Sequence, residues 1–164
     1  MIFADVDEML EAARDGMTRL TPQEAADAVA AGDLIVDIRP EWQRRADGEV
    51  PGSLVIERNH LEWRLHPTSD ARLPHADTPR RWIVLCTEGY TSSLAARSLL
   101  SLGLAAADVR GGIRAWRAAG LPVVAGPTAV ECMVGEQGGE PRAGSGCASA
   151  GARAAEETGM VNCL

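Results

Sequence analysis

The residues with the clearest chemical potential are Cys86-Thr87-Glu88-Gly89-Tyr90-Thr91-Ser92. They join a short apolar run, Trp82-Ile83-Val84-Leu85, to a stretch with helical spacing. In open parallel sheets, ligands bind at the carboxyl ends of the strands, where Cys86 is expected. Such a loop can turn its main-chain N–H groups inward around the sulfur as a nest. The following helix adds the positive end of its dipole. Both effects favour a sulfur anion over a neutral thiol. The same cradle can hold a persulfide anion or an oxyanion in transit. Gly89 suits a loop that turns tightly, and Thr91 and Ser92 can cap the helix or face the cradle. The competing reading is a buried structural cysteine that closes a strand.

Other chemistry-bearing residues are sparser. Asp37 ends an apolar run and organises the turn after it; Arg39, Arg44 and Arg45 follow. Arg44 is the candidate to contact an anionic substrate. Arg39 is expected to pair with an acid or with backbone carbonyls, and Arg45 to be solvated. His60, His66 and His75 do not have the spacing of a helical metal pair, and no two cysteines form a CxxC pair. The expectation is therefore no metal. Trp42, Trp63 and Trp116 read as packing residues, and Tyr90 as a residue at the pocket mouth.

The elements that would position Cys86 alternate between helix and strand. Asp5 to Arg14 reads as a short helix, and Met17 to Leu20 as an edge strand. Thr21-Pro22-Gln23-Glu24 carries the signature of a capping box with Pro in the first turn. That helix stops at Gly32. Leu34 to Ile38 suits a strand buried on both faces. Ser53 to Glu57 reads as another strand, and Leu61 to Leu65 as a helical turn. Thr91 to Leu102 predicts a helix with Leu94, Ala95, Ser98, Leu99 and Leu102 on one face. Asp108 to Arg110 and Ile113 to Ala119 give the last strand and helix. Alternation of this kind implies an α/β fold with a mostly parallel sheet.

Composition bounds the rest. The 164 residues suffice for one domain. The net charge of −7, with no lysine and no basic run, disfavours nucleic acid and excludes a Schiff-base lysine. No stretch is long and apolar enough for a membrane span. The acidic start lacks the features of a signal peptide, so a cytoplasmic protein with reduced thiols is expected. The chain divides into an N-terminal helical extension (1–16), the α/β domain (17–124) and a Gly/Ala-rich tail (125–164), read as flexible with a weak helix near 152–157. From residue 125 to Cys163 the tail would span about 35 Å. Cys132, Cys147 or Cys163 could thus reach Cys86, although incidental thiols are the simpler reading.

Cys86-Thr87-Glu88-Gly89-Tyr90-Thr91-Ser92 resembles the active-site loop of the rhodanese family. Asp37-Ile38-Arg39 resembles its Asp-x-Arg motif. Gly48-Glu49-Val50-Pro51-Gly52-Ser53 resembles its Pro-Gly turn, with Glu49 where the family has His. Gly111-Gly112-Ile113-Arg114-Ala115-Trp116 and Gly120-Leu121-Pro122-Val123 resemble its closing signature. The pieces fall in the family's order and cover residues 17–124. The resemblance implies an open parallel sheet of about five strands with helices on both faces. It also implies a sulfurtransferase or sulfur carrier, working through a persulfide on Cys86 with no need of a metal or organic cofactor. The loop residues Thr87, Glu88, Gly89, Tyr90, Thr91 and Ser92 would bind substrate. The partners would be a small-molecule sulfur donor (thiosulfate or mercaptopyruvate type) and a thiophilic acceptor, either a cellular thiol or a protein. Some thiosulfate-using members place cations just after the cysteine, where this chain has Thr87 and Glu88. A carboxylate there opposes a dianionic donor unless Glu88 points outward. The alternatives are a non-catalytic binding or regulatory module, or a phosphatase or arsenate reductase on the same fold. Phosphatase loops need Cys-x5-Arg, and this chain has Ser92 at the arginine position.

Overall fold

The computed structural model describes residues 1–136. Within them, five strands form one parallel sheet: β1 (Arg19–Leu20), β2 (Leu34–Asp37), β3 (Leu54–Val55), β4 (Trp82–Leu85) and β5 (Ala106–Val109). The order across the sheet is β1-β5-β4-β2-β3, so β4 lies at its centre. The helices are α1 (Val6–Arg14), α2 (Pro22–Ala30), α3 (Glu41–Asp47), α4 (Leu61–Leu65), α5 (Thr91–Ser101) and α6 (Gly112–Ala118). The expected α/β class and five-stranded parallel sheet are both found.

Strand alternation sorts the core into two layers. Leu34, Val36, Trp82, Val84 and Ala106 face a cluster that includes Leu61 and Leu65 of α4 and Ala95, Ala96 and Leu99 of α5. Ile35, Ile83, Leu85, Ala107 and Val109 face the other side, against Ala25 of α2 and Ile113 and Trp116 of α6. Cys86 continues the parity of Val84 and belongs to the α4/α5 layer. Asp108 continues the parity of Ala106 and so lies on the same side. Helix α1 packs on α5.

Local signals hold where the chemistry is local. Thr21 and Glu24 make the reciprocal capping box of α2. Asp5 caps α1 by accepting from the Glu8 N–H at 2.8 Å. Helix α5 starts at Thr91 as expected, but neither Thr91 nor Ser92 caps it; the cap position is Tyr90, with no side-chain bond. Its buried face is also turned, because Ser92 and Ser93 point inward while Leu102 is exposed. Trp42 and Trp63 are exposed rather than packed, whereas Trp116 is buried. The sequence reading left Glu41–Asp47 without an element; the structure makes it α3.

The expected flexible tail is corrected over residues 125–136. Val55 N–H donates to the Cys132 carbonyl at 3.1 Å, and Val134 N–H donates to the Ser53 carbonyl at 2.8 Å. These bonds cover the outer edge of β3, which would otherwise present unpaired main-chain groups. Thr128, Cys132 and Val134 are buried. Cys132 is disulfide-bonded, against the expectation of reduced thiols. The remaining tail expectations, including Cys147, Cys163 and the helix near 152–157, lie outside the described residues.

Candidate active site

Cys86 sits where β4 ends, 7% exposed, at one wall of a cavity of about 310 Å3. Its Sγ accepts from the Gly89 N–H at 3.1 Å and from the Ser92 N–H at 3.4 Å. Ser92 Oγ lies 3.2 Å from the sulfur. A thiol can donate to that hydroxyl, and a thiolate can accept from it. Ser92 Oγ is also 3.2 Å from Asp108 Oδ2, to which it donates in the thiol state.

The loop is held from outside by its carbonyls. The Cys86 carbonyl accepts from Ile113 N–H at 2.9 Å, and the Thr87 carbonyl from Arg114 N–H at 3.3 Å. The Gly89 carbonyl accepts from Arg14 Nη2 at 2.8 Å and Arg19 Nη2 at 3.0 Å. In a trans peptide the N–H points opposite to the C=O. Carbonyls drawn outward therefore turn the N–H groups of Thr87, Glu88 and Tyr90 toward the inside of the loop. Two glycines make this packing fit. A Cβ on Gly112 would lie 2.3 Å from the Cys86 carbonyl oxygen. Gly89 has φ +84°, and a Cβ there would lie 2.7 Å from the Gly111 nitrogen.

Around the sulfur the charges are organised in pairs. Asp108 is fully buried and takes a two-pronged bond from Arg19, at 2.9 and 3.0 Å. It also accepts from Ser93 Oγ at 2.8 Å. Asp37 holds Arg39 in the same way, at 2.9 and 2.6 Å, and accepts from the Arg39 N–H. Burial pushes the Asp37 carboxyl above its ordinary value, against the pull of Arg39. Arg39 nonetheless lines the cavity, and its buried Nη1 has no hydrogen-bond partner among the described residues.

The loop residues expected to bind substrate do different things. Thr87 Oγ1 donates to Gln43 Oε1 at 2.9 Å, beside the cavity. Glu88 lines the same cavity; it is exposed and ion-paired with Arg114 of α6, which offsets its charge. Tyr90 is 57% exposed at the cavity mouth, and Thr91 lines the same wall.

The expectation for Arg44 is corrected. Its guanidinium is 1% exposed and bonds the Arg39 carbonyl, the Glu49 carboxylate and the Thr128 carbonyl. It is spent on joining α3 to the 125–136 segment, because Glu49 stands buried beside it and needs a counter-charge. The sequence reading missed Gln43 and Arg58, which do line the cavity. Arg58 is held by Glu62 at 2.9 Å and also borders an adjoining cavity of about 380 Å3 with Glu57 and Asn59. Helix periodicity could have found Gln43, since α3 turns it toward Thr87 while Arg44 faces the core. Nothing local signals Arg58, which arrives from the loop after β3.

A larger cavity of about 560 Å3 lies between α4 and α5, lined by Trp63, His66 and Leu102. No cysteine lines it, so the smaller cavity beside Cys86 is the candidate site. Among the described residues, no group of three or more His, Cys, Asp or Glu could hold a metal ion. Among the same residues, no helix is long and apolar enough to cross a membrane.

A family model described as a rhodanese-like domain matches residues 21–119. No match was found among curated protein sequences. Among solved structures, the chain is 32% identical to a Rhodopseudomonas palustris protein of unknown function, described as a possible tyrosine phosphatase. That match covers 76% of this chain and 97% of the other, with a TM-score of 0.69. The fold is also similar to that of a thiosulfate sulfurtransferase from Pseudomonas aeruginosa. There the identity is 23%, over 77% of this chain and 23% of that one, at a TM-score of 0.59. A polysulfide-sulfur transferase from Wolinella succinogenes is 22% identical over 71% of this chain and 85% of that one, at a TM-score of 0.56.

Proposed function

Given that the chain belongs to the rhodanese-like domain family, we propose that it is a sulfurtransferase or sulfur carrier that holds a sulfane sulfur on Cys86. The observation that carries this reading is the sulfur's position at the wall of an open cavity, with two main-chain N–H donors and one hydroxyl on it. Such donors stabilise charge on a sulfur without reorganising during the reaction.

With thiosulfate as donor, the Cys86 thiolate attacks the outer sulfur. A new S–S bond forms, the old one breaks, and sulfite leaves with its electron pair. The product is a persulfide anion in the same cradle. Cyanide or a thiolate acceptor then takes the terminal sulfur and returns the Cys86 thiolate. Each step conserves charge, and neither needs a metal. Arg39 and Arg58 at the cavity wall suit an anionic donor. The pairing of Glu88 with Arg114 reduces its opposition to one. A soluble donor and a thiophilic acceptor are the partners this chemistry requires.

The relative described as a possible tyrosine phosphatase raises a second reading. Phosphate transfer by such a loop needs a cation at the end of it to grip the phosphoryl oxygens. Here Ser92 occupies that place, fully buried and bonded to the sulfur and Asp108. The geometry therefore favours sulfur over phosphate.

The test is thiocyanate formation from cyanide with thiosulfate or 3-mercaptopyruvate, comparing the parent with Cys86→Ser. Mass spectrometry reads the added sulfur on Cys86 after exposure to the donor alone. Sulfur transfer that persists in the variant, or a parent that never takes up sulfur from either donor, sinks the proposal. Hydrolysis of p-nitrophenyl phosphate, lost in Cys86→Ser, would instead favour the phosphatase.

A further inference from the structure

The side chains beside the sulfur bring no free cation. Thr87 is bonded to Gln43, and Glu88 is paired with Arg114. The other charges around the cradle are also matched. Arg39 is paired with Asp37 from β2, Arg58 with Glu62 from α4, and Arg19 from β1 with Asp108 from β5. Arg14, in the last turn of α1, is different. It has no carboxylate partner among the described residues. Its Nη2 donates to the Gly89 carbonyl at 2.8 Å and its Nε to Ser93 Oγ at 3.0 Å. Its guanidinium also lies over the Tyr90 ring, 5.6 Å from the centroid.

We propose that Arg14 supplies, from behind the loop, the positive charge that the loop's own side chains lack, and is a positioning residue for Cys86. It acts through the Gly89–Tyr90 peptide. The carbonyl is drawn outward onto two guanidiniums, which turns the Tyr90 N–H inward and polarises that peptide toward the sulfur. Arg19 shares the carbonyl, but its charge is offset by Asp108, so the surplus belongs to Arg14. Arg14 lies outside residues 21–119, in a helix that the family model does not include. The device thus lies outside the residues that the family model matches. It rests on the reading of Cys86 as the reacting sulfur, and it suits anionic sulfur species in general.

The test uses the full chain and reads Cys86 alone. Protein is alkylated with iodoacetamide across a pH series, digested with trypsin, and quantified at the peptide Trp82–Arg97, whose one cysteine is Cys86. Arg14→Met and Arg14→Gln keep helix-forming side chains, and thermal melts check that each is folded. Both variants are expected to move the half-reaction to higher pH and to slow alkylation at neutral pH roughly three- to tenfold. Arg14→Lys restores most of the rate. Arg45→Gln removes an exposed arginine from α3 and matches the parent. Midpoints that coincide in the parent, Arg14→Met and Arg14→Gln overturn the proposal. So does an Arg14→Lys protein as slow as Arg14→Met, which would make the role one of shape. Alkylation needs no sulfur donor. A shifted midpoint with no thiocyanate from any donor therefore sinks sulfur transfer and leaves Arg14 standing; thiocyanate with an unmoved midpoint does the reverse.

Discussion

Cys86 owes its surroundings to main chain and to one hydroxyl, and that hydroxyl has a single proton to place. While Cys86 is a thiol, Ser92 can donate to Asp108; when the sulfur is anionic, Ser92 can donate to it, and Asp108 keeps Arg19 and Ser93. Ser92→Ala is therefore expected to lower kcat/KM for thiocyanate formation about ten- to a hundredfold, since a hydrogen bond to a charged group contributes roughly 1.5–3 kcal/mol. Its melting temperature should change little, because Asp108 stays satisfied. An unchanged kcat/KM would show that the hydroxyl does not act on the sulfur. Gly89→Ala is expected to be worse on both counts. It forces a Cβ to 2.7 Å from the Gly111 nitrogen at φ +84°, where an L-residue also loses about 1–2 kcal/mol. A drop in melting temperature together with slower alkylation of Cys86 checks it; a variant as stable as the parent would refute it. At this scale the sequence was informative about Cys86, Gly89 and the turn role of Asp37. It misassigned Arg44, because the order of residues after a strand does not say which way a short helix such as α3 will turn. The part played by Asp108 was hidden for a related reason. Its partners Arg19 and Ser92 are distant in sequence and meet only across β1, β5 and α5.

Among the elements, α3 and the 125–136 segment are joined by one buried carboxylate. Glu49 pairs with Arg44 and accepts from the Thr128 N–H and from Thr128 Oγ1 at 2.7 Å. Burial raises the carboxyl, but the bonds from Thr128 and Arg44 outweigh it and hold Glu49 below its ordinary 4.5. A carboxyl lowered on folding adds stability above that ordinary value, and the contribution fades as pH falls through the folded one. Asp37, raised by burial, works in the opposite sense, so only a comparison with Glu49→Gln isolates the effect. Urea unfolding should show Glu49→Gln weaker than the parent by about 3 kcal/mol near neutrality, as expected when a buried charge loses its partner. The gap should narrow at acidic pH. A gap that is constant with pH would mean that Glu49 acts by packing alone. The elements themselves were legible where the signal is local, as in the capping box of α2 and the four apolar residues of β4. The docking of 125–136 was not, since a Gly- and Ala-rich composition conceals the few residues, Thr128, Cys132 and Val134, that bury themselves on β3.

For the molecule as a whole, the N-terminal helix is part of the working unit. Residues 1–16 read from the sequence as an extension to the alternating pattern, and Leu10 and Ala13 of α1 are each 7% exposed, with α1 packed on α5. Arg97 of α5 returns the contact, with Nε donating to the Ala13 carbonyl at 2.7 Å and Nη2 to that of Asp15. Burying one leucine side chain contributes roughly 1.5–3 kcal/mol, and the Arg97 bonds add to it. Removing residues 1–16 should therefore lower the melting temperature by several degrees in a domain of this size. It should also slow the alkylation of Cys86 beyond what Arg14→Met does alone, because the α5 surface that positions Ser92 and Ser93 loses its cover as well as its cation. The check is a thermal melt beside the alkylation series, with truncated and point-substituted proteins compared at equal temperature. Were the shortened chain to melt like the parent and react like Arg14→Met, α1 would be only a carrier for its arginine, and the stabilising role assigned here to Leu10 and Ala13 would be wrong.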